Sequence, residues 1–142
     1  MPGSAERPDL LVDTSVAVAL SVVDHDHHEE TFLALADRRL GLAGHAAFET
    51  FSVLTRLPPP DRRTPGAVAR VLSANFPHTR FLDADATAEL LARLHLAGIA
   101  GGAVYDALVG ATAVEHGLSL ATRDRRALET YRALEVNVEL LA

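Results

Sequence analysis

Asp9-Leu10-Leu11-Val12-Asp13-Thr14-Ser15-Val16 is the stretch on which the fold turns. The apolar run Leu10-Leu11-Val12 is too short for a helix and reads as a buried strand, while Thr14 and Ser15 offer hydroxyls to cap the helix that residues 16–20 begin. An acid, Asp13, therefore falls at the carboxyl end of a buried strand. The pattern repeats far along the chain, where the apolar run Leu118-Ser119-Leu120-Ala121 reads as a core strand and Asp124 follows it. Between the two lie helical patterns. One spans residues 26–39 with Phe32, Leu33, Leu35 and Ala36 as its apolar stripe. Another spans 45–57, with Ala47, Phe51 and Leu54 on one face, and stops at Pro58-Pro59-Pro60. A third, from Thr64-Pro65 to residue 75, has Thr at the cap and Pro in its first turn. Two more cover 83–96, with Gly98 just beyond, and 104–116, apolar almost all round and closed by Gly117. Residues 41–44 read as a link or brief strand and 79–82 as a further strand. A short helix follows over 124–134, and the alternation in 135–140 suggests an edge strand with one wet face. Strands separated by helices imply a parallel sheet covered by helices, here one domain over residues 1–142.

Composition narrows the function. The 142 residues are 49% hydrophobic, enough for one good core. No apolar run approaches the ~20 residues that cross a bilayer, and residues 1–9 lack the layout of a signal peptide, so the expected address is cytoplasmic, with no membrane partner. There is no cysteine and, since all 13 basic residues are arginine, no lysine. A metal would have to be held by oxygen or imidazole, and oxygen ligands favour magnesium or manganese. The net charge of -6 is unusual for a protein that handles nucleic acid. Acids neutralised by divalent cations would no longer repel a phosphodiester, and arginines pair up at Arg38-Arg39, Arg62-Arg63 and Arg125-Arg126, with Arg123 adjacent.

Four carboxylates stand in apolar surroundings with no evident cation beside them. Asp13 and Asp124 follow strands, and Glu49 and Asp106 lie inside apolar helical stretches. Buried carboxylates are costly unless neutralised, and a bound divalent metal is the simplest explanation for all four. Each has a blander reading. Asp13 can start a turn, Asp124 can cap the helix after it, and Glu49 can pair with His45 one turn earlier. Asp106 has no such escape, since its helical neighbours Gly102, Ala103, Val109 and Gly110 cannot neutralise it. Those small residues would let its helix press close to the sheet. Strand-end acids of an open parallel sheet can converge, and such a pocket supports attack of water on a phosphodiester. Thr14, Ser15 and Thr122, beside the strand-end acids, are candidates to orient ligands or water, and capping would explain them equally well.

Taken together, these residues resemble the PIN-domain ribonucleases, and among them the VapC-type toxins of bacterial toxin–antitoxin pairs. The resemblance rests on Leu11-Val12-Asp13-Thr14-Ser15, on His45-Ala46-Ala47-Phe48-Glu49 leading into Ser52 to Pro58, on Tyr105-Asp106-Ala107-Leu108, and on Leu120-Ala121-Thr122-Arg123-Asp124. It covers nearly the whole chain and leaves no position of the acidic quartet empty. It implies a three-layer α/β/α domain, a parallel central sheet flanked by helices, with Asp13, Glu49, Asp106 and Asp124 as catalytic metal ligands and Thr122 as the accompanying hydroxyl. It also implies a Mg2+- or Mn2+-dependent endoribonuclease that cuts structured or translation-related RNA to leave a 5′ phosphate and a 3′ hydroxyl. The implied partners are RNA, a second copy in a homodimer, and a small VapB-like antitoxin that fills an apolar groove and points a basic side chain at the acidic pocket.

Several features compete for attention. Asp24-His25-Asp26-His27-His28-Glu29-Glu30 imitates a metal site but lacks ligand spacing, and reads as a solvated helix start. Arg62-Arg63 can grip a phosphate or belong to a solvated loop. Arg123 is the better phosphate contact, unless it pairs with Glu129 or Asp124. Tyr105 and Phe48 read as core, with base stacking the lesser option. Phosphoryl-accepting domains of the receiver or haloacid dehalogenase kind are disfavoured, because they use a lysine, and the phosphatase pattern wants an acid where Ser15 stands. Two rival functions fit the same chain, a DNA nuclease of related fold and a catalytically silent PIN-like module that binds a partner or RNA. The intact quartet argues against the silent module.

Overall fold

In the computed structural model, which describes residues 9–142, a four-stranded parallel sheet runs in the order β2-β1-β3-β4. The signal-peptide reading falls mostly on residues 1–8 and lies outside the described residues. Strand β1 (Asp9–Val12) is central, with β2 (Arg39–Leu42) on one side and β3 (Ser119–Thr122) on the other, and β4 (Val138–Leu140) forms the far edge. Leu11 aligns with Gly41 on one neighbour and with Leu120 on the other. Chain order reverses direction between β1 and β3, and such a switch point opens a crevice at the carboxyl ends of the strands.

Alternation along the strands builds two cores. Leu10, Val12 and Ala121 face Val16 and Ala17 of α1 (Thr14–Ser21), Leu35 of α2 (His28–Leu35) and Phe76 after α4 (Pro65–Asn75). Leu11 and Leu120 face the other way, onto Ala46 of α3 (His45–Thr55), Val109 and Ala113 of α6 (Ala103–Glu115), and Tyr131 of α7 (Leu128–Ala133). Helices thus cover both faces of the sheet, the expected three layers, and the outlying α5 (Ala84–Arg93) packs on α6. The first helix is capped by Asp13 and not by the Thr14 or Ser15 hydroxyls expected to do so, while Thr64-Pro65 opens its helix as anticipated. Asp13 accepts the Val16 N–H at 3.3 Å, Thr64 that of Ala67 at 3.2 Å with Pro65 in the first turn, and Asp83 that of Ala86 at 2.7 Å.

Three expectations need correction. The helix expected over 26–39 is only α2, residues 36–38 turn, and Arg39 already belongs to β2. Its buried positions are Thr31 and Leu35, one turn apart, while Phe32 and Leu33 face solvent. Residues 79–82 form no strand, only an isolated bridge from Ala43 to Arg80. The Thr79 hydroxyl takes the Leu42 N–H at 2.9 Å, so a side chain occupies a position that a regular ladder would give to backbone. This segment presses so closely on β2 that a Cβ on Gly41 would lie 2.1 Å from the His78 carbonyl oxygen. Finally, the helix expected over 124–134 is a 3-10 turn, Arg125–Ala127, followed by α7.

Candidate active site

The site grows from the carboxyl ends of β1 and β3. Asp13 leaves β1 with its backbone N–H donating to the Ala121 carbonyl at 3.2 Å, which ties it across the switch point. Its side chain is buried and every lone-pair direction is answered. Oδ1 accepts from the Ser15 hydroxyl at 2.6 Å and from the Val16 N–H, and Oδ2 accepts from the hydroxyls of Thr122 and Tyr131, the latter at 2.9 Å. Burial pushes the Asp13 carboxyl above the usual range, against the lowering pull of the Ser15, Thr122 and Tyr131 hydroxyls.

Thr122 is the hinge between two acids. Its hydroxyl donates to Asp13 and accepts the Asp124 N–H at 3.0 Å. Asp124 also performs the bland role foreseen for it, accepting the Arg126 N–H at 2.9 Å at the head of the 3-10 turn. Glu49 comes from α3 and accepts from the Thr14 hydroxyl at 3.2 Å, a link that fixes α3 to the start of α1. The pairing of Glu49 with His45 is replaced by a stack, the His45 and Tyr105 rings lying 4.9 Å apart and 20° from parallel. Asp106 enters on the first turn of α6. Its carboxyl is driven up to about 6, first by burial and then by the negative charges of Asp124, Glu49 and Asp13, with only Arg126 pulling the other way. One carboxylate feeling the other three is the electrical signature of four acids converging on one place.

Gly110, one turn after Asp106, lets α6 lie close to α7 and the segment that follows it. A Cβ there would lie 3.0 Å from Val136 and 3.1 Å from Tyr131. At Gly110 the close approach is thus made to the Tyr131 ring, where the sequence reading expected the sheet. Tyr131 was invisible to sequence reasoning. The one available signal is that a buried phenol needs a hydrogen-bond partner where phenylalanine would not.

Other expected contributors sit elsewhere. Ser15 joins the site through Asp13 and accepts the Arg123 N–H at 2.9 Å. The Arg123 side chain is only 10% exposed and turns onto α2, donating to Thr31 at 3.3 Å and lying 3.7 Å from Glu30, so its acidic neighbour is neither Glu129 nor Asp124. Arg62 donates to the Leu57 carbonyl at 2.7 Å and Arg63 to the Ser21 carbonyl at 2.5 Å, holding their turn against α1 and α3. In the histidine-rich run, His27 meets Glu30 at 2.5 Å on an exposed surface and His28 meets the Ala19 carbonyl at 2.9 Å. Phe48 and Tyr105 are not core, being 66% and 51% exposed. A cavity of about 760 Å³ between α5, α6 and the end of α7 is lined by none of the four acids.

The donor set is all oxygen and carries a surplus of negative charge, which suits a hard divalent cation. Among the described residues no three His, Asp or Glu side chains already stand at the spacing of a closed ligand cage.

Comparison with known proteins agrees with this geometry. The PIN domain family profile matches residues 10–133. Ribonuclease VapC27 of Mycobacterium tuberculosis is 46% identical over 136 residues, spanning 96% of this chain and 99% of that protein. Ribonuclease VapC40 of the same species is 50% identical over 131 residues, spanning 91% and 96%. The crystal structure of VapBC2 from Rickettsia felis bound to a DNA fragment from their promoter superposes with a TM-score of 0.66 over 94% of this chain and 98% of that one, at 14% identity, a likeness of fold. The sheet order, the strand-end acids and the identity over almost the full length make this chain a member of the PIN-domain family, of the VapC ribonuclease type.

Proposed function

We propose that this chain is a divalent-metal-dependent endoribonuclease, the toxin of a type II toxin–antitoxin pair, that hydrolyses phosphodiester bonds of tRNA or rRNA and so stops translation and growth. The observation that carries the catalytic reading is the convergence on Asp106, whose carboxyl is raised to about 6 by burial together with Asp124, Glu49 and Asp13. Asp13, Glu49, Asp106 and Asp124 would hold Mg2+ or Mn2+, and all 142 residues would serve one nuclease domain. When bound, the cation would polarise a phosphoryl oxygen and lower the pKa of an attacking water. The chain's own residues do the rest. Thr122 orients Asp13 and Asp124 together, Ser15 holds Oδ1 of Asp13, and Thr14 steadies Glu49. The exposed Tyr105 ring, next in sequence to Asp106 and stacked on His45, offers a flat surface on which an unpaired base can lie.

The partners follow from exposed apolar surface. Phe32 and Leu33 on α2, and Leu91 and Leu96 in and just after α5, are side chains that a VapB-like antitoxin and a second copy of the chain would cover. No helix among the described residues is long and apolar enough to cross a membrane, and we place the protein in the cytoplasm with its RNA.

The deciding experiment incubates purified, antitoxin-free protein with total RNA and with single-stranded DNA, under Mg2+, Mn2+ or chelator, and maps cut ends by sequencing. Metal-dependent cuts at a few RNA sites, carrying a 5′ phosphate and lost in Asp106→Asn, are expected. Cutting confined to DNA would make it a DNA nuclease, and absence of any cutting would favour a silent module that binds RNA or a partner.

A further inference from the structure

Tyr131 lies in the interior, within the second core, yet its hydroxyl reaches the first acid of the site. It donates to Asp13 Oδ2 at 2.9 Å, and the Thr122 hydroxyl donates to the same oxygen. The ring fills the space left by Gly110 on the helix that carries Asp106, its Cδ1 lying 3.1 Å from where a Cβ on that glycine would be. The phenol feels the charges of Asp13, Asp106 and Asp124, and burial with those charges pushes its ionisation far up, so it stays a donor. One side chain therefore touches α6 with its ring and β1's terminal acid with its hydroxyl.

The two oxygens of Asp13 are held differently. Oδ2 is fixed by two buried residues, Thr122 and Tyr131, whose hydroxyls point inward. Oδ1 is shared by a backbone N–H and by Ser15, a half-buried residue whose hydroxyl oxygen also accepts the Arg123 N–H at 2.9 Å. We propose that Tyr131 is a positioning residue which, with Thr122, pins Oδ2 of Asp13 inward and leaves Oδ1, once the Ser15 proton rotates away about the Cβ–Oγ bond, as the oxygen offered to a divalent cation. This rests on the reading above that the acidic quartet holds such an ion. A ligand carboxylate fixed through its far oxygen does not have to be ordered when the ion arrives, and loss of such a supporting partner costs on the order of 10–100-fold in affinity or activity.

The test replaces Tyr131 by Phe, which keeps the ring against Gly110 and removes only the donor. Mn2+ binding is followed by the electron paramagnetic resonance of the free ion, alongside kcat and KM on a cleaved RNA. Tyr131→Phe is expected to weaken Mn2+ binding about tenfold and to lower kcat about tenfold with KM within about twofold. A control, Leu134→Ala, thins the packing beside Gly110 without touching Asp13, and should lower the melting temperature while leaving Mn2+ affinity unchanged. Wild-type affinity retained in Tyr131→Phe overturns the proposal, as does an equal loss in Leu134→Ala. Failure of the wild-type protein to bind Mn2+ at all overturns the quartet reading and this one with it. Should Tyr131→Phe not fold, the wild-type protein still decides. With two tyrosines in the chain, tyrosine labelled at Cζ gives two carbon-13 resonances, assigned with Tyr105→Phe. Saturating Mg2+ is expected to shift the Tyr131 resonance, and an unmoved resonance overturns the proposal.

Discussion

Without a cation, Asp106 is a strained acid at neutral pH. Its folded-state pKa, about 6, lies above the ordinary 3.8, so between those values the folded chain binds more protons than the unfolded one and stability falls as pH rises. In chelator, Asp106→Asn is therefore expected to melt higher than wild type at pH 7.5, with the difference closing as pH drops toward 4. Each kcal/mol relieved moves the midpoint of a chain this size by about 2–4 °C. A variant that melts at or below wild type at pH 7.5 would show that the other three acids do not bear on Asp106. The same proton competes with metal, so Mn2+ affinity of the wild-type protein should decline as pH falls through 6. The four proposed ligands stood out in the sequence because each sat in an apolar stretch with no evident cation. Tyr131 was not, because an aromatic residue in an apolar helix looks like core, and it is core; only the position of its hydroxyl gives it a second role. Arg123 misled in the opposite sense, since sequence adjacency to Asp124 says nothing about a side chain that turns toward α2.

Among the elements, the strands and helices that carry the acids were readable from short signals, an apolar run ended by an acid or a cap ahead of a helical stripe. β2 was hidden. Arg38 and Arg39 prolong a helical look, and the strand is exposed at its start and buried only at Gly41 and Leu42. What makes Gly41 part of a strand is pairing with β1, where it aligns with Leu11, and its other edge is flanked by the 78–80 segment, which donates His78 N–H to Leu40 and Arg80 N–H to Leu42. That contact fixes the cost of a substitution. Gly41→Ala would place a Cβ 2.1 Å from a backbone oxygen that has no rotamer to retreat into, and overpacking of this kind costs about 3 kcal/mol. The melting temperature should drop by roughly 10 °C, measured by circular dichroism in chelator so that metal binding does not mask it. A drop of only a degree or two would mean that the 78–80 segment yields easily.

At the scale of the whole molecule, negative net charge and nuclease chemistry are reconciled by where the arginines are engaged. Arg38 holds Glu139 through two bonds of 3.1 Å, Arg80 holds Asp9 at 2.9 Å, and Arg63 and Arg123 serve the fold as described. With a formal net charge of -6 and these four arginines taken up by the fold, RNA affinity should depend only weakly on salt. For Asp106→Asn binding a labelled RNA, the slope of log K against log salt between about 50 and 200 mM should be no steeper than about -3, the equivalent of roughly four phosphate contacts on a single strand. A steeper slope would point to a basic surface contributed by a partner chain. The sheet order has a temporal meaning as well. Asp13 and the hydroxyls that hold its Oδ2, those of Thr122 and Tyr131, lie 109 and 118 residues apart in sequence, and β1 gains its β3 neighbour only when residues 119–122 arrive. A growing chain thus carries Asp13 in an unfinished cradle until β3 and α7 have been made and have folded against it.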